Sequence, residues 1–117
     1  MKKIYHLSTC NTCQKIIKEL ELPGDFEFQD IKNEEITEDQ LEEMQSLSGS
    51  HEALFSKRAR LYKERGLKEQ TLSENDYKAL ILEHYTFLKR PVIINGDKIF
   101  VGNSKKTVAA AKASIHG

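Results

Sequence analysis

The chain contains two cysteines, Cys10 and Cys13, which enclose Asn11 and Thr12 in a single Cys-x-x-Cys segment. Residues 3–7 before them have the apolar character of a short strand, and the residues after Cys13 have the pattern of a helix. This order predicts that Cys10 lies at the helix N-terminus, where the helix dipole and unpaired backbone N–H groups stabilise a thiolate. A thiolate is a nucleophile, and a second sulfur three residues on can attack the resulting adduct and release it by forming a disulfide.

Other roles are open to a cysteine pair. A structural disulfide is disfavoured, because two intervening residues close only a very small loop. A zinc site usually needs four ligands, and the four histidines show no ligand spacing around the cysteines. Small, unreactive core cysteines are common, but a core role does not require placement at the start of a helix. The pattern therefore favours a thioredoxin-like redox site.

Length and charge restrict the class of protein. A chain of 117 residues is expected to form one domain, residues 1–117, with a core that needs no disulfides. The 18 basic and 18 acidic residues balance, so no overall charge attracts nucleic acid or an anionic membrane. No apolar run has the length of a membrane span, and the N-terminal residues do not resemble a secretory segment. The expected location is the reducing cytoplasm, where a thiol pair is more often catalytic or regulatory than structural.

The first elements form a βαβ unit. Pro23 and Gly24 end the helix that follows the cysteines. Residues 26–31 then alternate between apolar and polar types, which predicts a strand with one buried face. Two strands joined through a helix are expected to be parallel, with a right-handed crossover.

The middle of the chain is predicted to be helical. Thr37 and Ser73 each have the pattern of a helix N-cap, with a side chain three residues on that can complete a capping box. Between them, the sequence predicts a further helix over about residues 54–65. On that helix Arg58 and Tyr62 would share one face.

The last part of the chain returns to strands. Residues 91–95 and 98–101 are rich in β-forming side chains and are separated by Gly96 and Asp97, which predicts a hairpin. A closing helix is expected over about residues 105–115. The predicted fold class is therefore α/β, with a helical insertion at approximately residues 35–87 between a βαβ half and a ββα half.

Two basic positions could complete a site around the thiols. Arg90 precedes Pro91 at the start of a predicted strand, where a proline is tolerated because it need not donate a hydrogen bond. Arg90 is then either an exposed side chain or one turned toward the sulfurs, with a cis Pro91 packed against the cysteine segment. Arg58 lies in a basic segment that is either a solvated face or part of an oxyanion site with Arg90, because guanidinium groups suit tetrahedral oxyanions.

Taken together, the sequence resembles the ArsC/Spx family of thioredoxin-fold proteins, which contains glutaredoxin-linked arsenate reductases and the Spx transcriptional regulators. The matching stretches occur in the family's order along nearly the whole chain: Ile4-Tyr5-His6, residues 54–58 through 66–67, and residues 88–94 through 101–102. The resemblance implies a thioredoxin-like (glutaredoxin-like) fold with a helical insertion.

Similarity to the arsenate reductases implies a thiol-dependent oxidoreductase in which Cys10 is the nucleophile and Arg90 binds the oxyanion. Those enzymes use a single cysteine, so Cys13 is an addition to their pattern, and its expected role as the resolving thiol comes from its spacing to Cys10. Glutathione or glutaredoxin would supply the electrons, the substrate would be a small oxyanion or a disulfide, and neither a bound cofactor nor a metal is expected. The remaining predicted site residues are His6, Asn11, Thr12 and Arg58 for substrate or oxyanion binding, and Pro91 for structure.

The chain departs from the arsenate reductase pattern at two arginines. One of these falls at Ser56, with Arg58 as the available substitute, and another falls near Val101, whose side chain cannot bind an anion.

Similarity to the Spx branch implies a different function for the same residues. That branch has the Cys-x-x-Cys pair and an arginine at the position of Arg58. Its members bind the RNA polymerase alpha subunit and use the two thiols as a redox switch. The alternative hypothesis is therefore a redox-sensing transcriptional regulator that binds RNA polymerase without contacting nucleic acid directly.

Overall fold

The computed structural model describes residues 1–117, and the chain divides into two compact units. The first unit consists of Met1–Glu35 and Arg90–Gly117, and the second is Ile36–Lys89. All four strands of the sheet belong to the first unit. The assignment of the chain to one domain stays a prediction.

The first unit is built on a sheet with the strand order β2-β1-β3-β4. Its strands are β1 (Lys2–His6), β2 (Glu27–Asp30), β3 (Val92–Asn95) and β4 (Lys98–Val101). β1 is parallel to β2 and antiparallel to β3, and β3 and β4 form the expected antiparallel hairpin. One central strand thus joins the N-terminal and C-terminal parts of the chain in a single sheet.

Two helices of the first unit pack together over the sheet. They are α1 (Asn11–Leu20) and α5 (Lys105–His116). Ile4 of β1 and Ile93 of β3 are directly paired and lie in the core with apolar residues of both helices. The buried members of this core are Ile4, Ile16, Leu20, Phe26, Ile93, Val108 and Ala111. The βαβ and ββα halves therefore meet in one unit, which confirms the predicted α/β fold.

The second unit is mainly helical. It contains α2 (Glu38–Ser48), α3 (Arg60–Glu64) and α4 (Glu74–Glu83), together with three short 3-10 turns. α2 and α4 begin at Thr37 and Ser73, and both N-caps form complete capping boxes, as predicted. None of the helices of the chain combines the length and the apolar character that a membrane span requires.

The helix predicted over about residues 54–65 is wrong in its first half. Phe55 is extended and forms an isolated antiparallel bridge with Leu88. The backbone N–H of Ser56 donates to the carbonyl of Phe87 at 2.7 Å, and the Phe55 and Phe87 rings stack at 5.3 Å. These contacts come from a distant part of the chain and hold the backbone extended.

As a consequence, α3 begins only at Arg60, and the preceding residues form a turn. Arg58 lies in that turn and is exposed, so it does not share a helix face with Tyr62.

Candidate active site

The turn between β1 and α1 places Cys10 at the start of the helix. The backbone N–H of Cys10 donates to the carbonyl of Leu7 at 3.0 Å, which closes a tight turn. Cys10 itself is extended and is the N-cap residue, and its carbonyl accepts from the N–H of Gln14 at 3.1 Å. The Cys10 sulfur is therefore attached where the first N–H groups of α1 have no partner in the helix.

These N–H groups make Cys10 more acidic than an ordinary cysteine. Partial burial raises the pKa of the Cys10 thiol, but four contacts together lower the pKa below its usual value. They are the backbone N–H of Cys13, the Cys13 thiol, the backbone N–H of Thr12 and the positive charge of Arg90. A larger fraction of Cys10 is consequently present as the nucleophilic thiolate near neutral pH.

Cys13 has the opposite character. It lies inside the first turn of α1 and is 1% exposed. Burial raises the pKa of Cys13 to about 11, against opposing contributions from a backbone hydrogen bond of Leu7 and the charge of Arg90. The charge of Cys10 and the hydrogen bond to Cys10 act in the same direction as burial. Both cysteines are free thiols, so the structure shows the reduced pair.

Arg90 and Pro91 lie at the entrance to β3. The peptide bond between them is cis, and Pro91 is buried. Arg90 is half-buried, and its positive charge acts on both Cys10 and Cys13. Arg90 is thus not fully exposed, and its charge favours the thiolate form of either cysteine, while its binding of an oxyanion stays a prediction.

A carboxylate that the sequence does not point to lies next to this turn. The Oγ of Ser8 donates to Asp30 Oδ2 at 2.5 Å, and the Ser8 N–H donates to Asp30 Oδ1 at 3.2 Å. The Ser8 hydroxyl is the main cause that lowers the pKa of Asp30, and the charge of His6 acts in the same direction. The His6 ring also meets Phe28 edge-on, with ring centroids 5.8 Å apart.

The other predicted binding residues fall in different environments. Asn11 and Thr12 are exposed at the beginning of α1, and Thr12 contributes through its backbone. Arg58 belongs to the second unit, so its part in an oxyanion site stays a prediction. Throughout the chain, no group of three or more His, Cys, Asp or Glu side chains is arranged to hold a metal ion.

The site can therefore supply a stabilised thiolate, a second sulfur within hydrogen-bond reach of it, and a guanidinium charge beside both. These are the components of thiol–disulfide exchange. Local sequence patterns indicate the thiols and Arg90. They do not indicate the contact between Ser8 and Asp30, because these residues are 22 positions apart in the chain.

The chain is similar to known proteins in both sequence and fold. The ArsC family model matches residues 5–111 of the chain. The "Global transcriptional regulator Spx 2" of Bacillus anthracis is 27% identical over 105 residues, which cover 87% of this chain and 79% of that protein.

Solved structures extend the likeness to nearly the whole chain. A protein of Staphylococcus aureus COL, solved by NMR in solution, is 30% identical with a TM-score of 0.75, covering 94% of this chain and 97% of its own. An arsenate reductase from Vibrio cholerae has a TM-score of 0.78 at 21% identity, covering 94% of this chain and 96% of its own. The second likeness concerns the fold, which is the predicted thioredoxin-like one. The family match and these relatives show that the chain belongs to the ArsC family.

Proposed function

We propose that the protein is a thiol-dependent oxidoreductase of the glutaredoxin-linked arsenate reductase type, with Cys10 as the attacking thiol and Cys13 as the resolving thiol. The observation that supports this most strongly is the contrast in acidity within one helical turn. The pKa of Cys10 is lowered by helix N–H groups and Arg90, whereas burial raises the pKa of Cys13 to about 11.

With arsenate, the reaction begins when the Cys10 thiolate attacks arsenic. An S–As bond forms, and one arsenate oxygen takes up protons from solvent and leaves as water. Cys13 then loses its proton to solvent and attacks the Cys10 sulfur, so an S–S bond forms as the S–As bond breaks. The electron pair of the broken bond stays on arsenic, which is reduced to arsenite while the two thiols become a disulfide.

With a disulfide substrate, the same residues perform two exchanges. The Cys10 thiolate displaces one sulfur of the substrate and forms a mixed disulfide, and Cys13 then displaces the other. Glutathione or glutaredoxin would return both cysteines to thiols by the reverse exchange. Arg90 is the group that would stabilise an anionic adduct at Cys10.

The high pKa of Cys13 is compatible with a resolving role because part of it depends on Cys10. In the reduced pair, the charge of Cys10 and the hydrogen bond between the thiols oppose ionisation of Cys13. Once the Cys10 sulfur is in a mixed disulfide, it carries no charge, so this opposition ends. Cys13 therefore becomes easier to ionise at the step in which it attacks.

The roles predict which thiol reacts first. A limiting amount of iodoacetamide near neutral pH is expected to label Cys10 well before Cys13, because thiolate is the reactive form and Cys13 is buried. Peptide mass spectrometry would locate the label. Preferential labelling of Cys13 would contradict the assignment of roles.

Turnover is tested by coupled NADPH consumption with glutathione, glutaredoxin and glutathione reductase, using arsenate or a glutathione mixed disulfide as substrate. Substrate-dependent turnover that Cys10→Ser abolishes is expected. Cys13→Ser is the matched variant and should accumulate a mixed disulfide at Cys10, detectable by mass. Wild-type protein without turnover on either substrate would reject the enzymatic proposal.

A second candidate function follows from the relative in Bacillus anthracis, which is named as a transcriptional regulator. In that case the Cys10–Cys13 pair would act as a redox switch, and the partner would be the RNA polymerase alpha subunit. Capture of purified alpha subunit by the reduced protein, changed on oxidation and insensitive to oxidation in Cys10→Ala, would favour this function. Its absence, together with substrate turnover, would favour the enzyme.

A further inference from the structure

Asp30 is the last residue of β2, and its carboxylate is held in place by donors from several sides. Besides the two bonds from Ser8, Oδ1 accepts from the N–H of Lys32 at 3.2 Å and Oδ2 accepts from Nδ2 of Asn33 at 2.7 Å. The N–H of Ile31 donates to the carbonyl of His6 at 2.9 Å, which ties the end of β2 to the end of β1. The carboxylate is thus a fixed anchor rather than a mobile surface group.

The Asp30 carboxylate is hydrogen-bonded to the turn that ends in Cys10. Ser8 is the second residue of this turn and is bound to Asp30 through both its N–H and its hydroxyl. From the other side, Nε2 of Gln14 in α1 donates to the Ser8 carbonyl at 2.6 Å. Ser8 is therefore connected to β2 and to α1 at the same time, two residues before the thiol.

We propose that Asp30 is a positioning residue for Cys10, which it holds at the N-terminus of α1 through Ser8. The inference rests on the proposed function, in which Cys10 is the attacking thiol. The N–H groups of Thr12 and Cys13 stabilise the Cys10 thiolate, and such stabilisation falls off with distance, so a looser turn would move the sulfur away from them.

The sign of the effect separates positioning from simple electrostatics. Asp30 carries a negative charge, and a nearby negative charge disfavours a thiolate. If charge were the only influence of Asp30 on Cys10, removing the carboxylate would make Cys10 more acidic. Positioning predicts the opposite, because the Cys10 sulfur would move away from the N–H groups that stabilise its thiolate. The other charged and titratable groups that act on Cys10, namely Arg90 and Cys13, are unchanged by the substitution.

The test is the rate of Cys10 alkylation by iodoacetamide as a function of pH in the full-length reduced protein, with thermal unfolding measured in parallel. Asp30→Ala is expected to move the midpoint of the profile to higher pH by up to about one unit, and to slow alkylation at neutral pH by about three- to tenfold. Asp25→Ala is the matched control, because Asp25 precedes β2 and pairs with Lys2 at 2.9 Å. It should leave the profile unchanged.

Ser8 provides a second pair of variants in case Asp30→Ala does not fold. Ser8→Ala removes only the hydroxyl contact and should shift the midpoint in the same direction by a smaller amount. Ser8→Thr keeps the hydroxyl at an exposed position and should restore the wild-type profile.

The outcomes also distinguish this inference from the proposed function. The positioning role would be overturned if Asp30→Ala and Ser8→Ala kept the wild-type alkylation profile or shifted it to lower pH. A lower unfolding temperature in these variants would not rescue it. The proposed function fails separately, if wild-type Cys10 is no more reactive than Cys13. A shift to higher pH that Ser8→Thr does not share supports the positioning role.

Discussion

At the scale of single residues, burial and position within one helical turn give the two thiols different pKa values. Cys10 is partly exposed and lies near backbone N–H groups that lower its pKa, whereas Cys13 is 1% exposed and lies within the turn. Dipole stabilisation falls off within the first turn of a helix, so the same element favours one thiolate and not the other. Arg90 adds a favourable charge to both.

The contribution of Arg90 can be measured directly. Arg90→Gln is expected to raise the pKa of Cys10 and slow its alkylation near neutral pH, because a positive charge that favours the thiolate is lost. Arg90→Lys should retain part of the effect. Lys89→Gln is the control, since it removes the neighbouring exposed cation. An unchanged alkylation profile in Arg90→Gln would show that the guanidinium does not act on the sulfur.

Burial of Cys13 makes the stability of the reduced protein depend on alkaline pH. The folded-state pKa of about 11 lies above the ordinary value of 9.0, so the unfolded chain releases this proton first. The free energy of unfolding should therefore fall as pH rises from about 9 to about 11, by on the order of 2 to 3 kcal/mol from this group alone.

Denaturant unfolding of reduced wild-type protein and Cys13→Ala across this range would measure that dependence. Other groups also titrate there, so the quantity of interest is the difference in slope between the two proteins. Parallel curves would contradict the raised pKa of Cys13.

At the scale of elements, the sequence predicts what is encoded locally. The capping boxes at Thr37 and Ser73 and the hairpin at Gly96 are determined by residues within a few positions of one another, and all three are present. The placement of Cys10 before α1 has the same origin.

The parts that could not be predicted depend on distant partners. Phe55 has a helical pattern around it, but its bridge to Leu88 and its stacking on Phe87 keep the backbone extended. The hydrogen bonds between Ser8 and Asp30 likewise form only when the parallel pairing of β1 and β2 brings the two strand ends together. No local periodicity encodes such contacts, so they require the tertiary structure.

One carboxylate at the start of α4 binds the backbone of residues 51–52, which lie 23 and 22 positions earlier in the chain. Glu74 accepts from the N–H of His51 at 2.6 Å and the N–H of Glu52 at 3.1 Å, and it lies 3.2 Å from the His51 ring. His51 is buried, so losing this acceptor leaves donors without a partner. Glu74→Ala is therefore expected to lower the free energy of unfolding by about 1 to 2 kcal/mol in denaturant titrations.

Glu69→Ala is a suitable control for Glu74→Ala, because it removes an exposed carboxylate from a nearby 3-10 turn. It should change stability by less than about 0.5 kcal/mol. Equal losses in the two variants would show that the hydrogen bonds of Glu74 add no stability of their own.

At the scale of the whole molecule, the chain belongs to the ArsC family, but it has fewer arginines at its predicted site than the resemblance to arsenate reductases implies. The resemblance places one of these arginines near Val101, which is half-buried at the end of β4 and pairs with Val92. It places another at Ser56, whose backbone N–H donates to the carbonyl of Phe87. If these positions correspond, the proposed enzyme has fewer groups to bind an oxyanion, and a disulfide becomes the better candidate substrate.

Arsenate is accordingly expected to be a poor substrate with a high KM. A net hydrogen bond to a charged group contributes about 1.5 to 3 kcal/mol, so each missing guanidinium weakens binding roughly ten- to a hundredfold. Steady-state kinetics should show no saturation at low micromolar arsenate, and turnover on a glutathione mixed disulfide should be faster. If Arg58 substitutes for one missing arginine, Arg58→Ala will raise KM for arsenate further, whereas Arg60→Ala, which removes another exposed arginine of the same segment, will not. Saturation at low micromolar arsenate would show instead that Arg90 and the α1 N-terminus bind the oxyanion without further guanidinium groups.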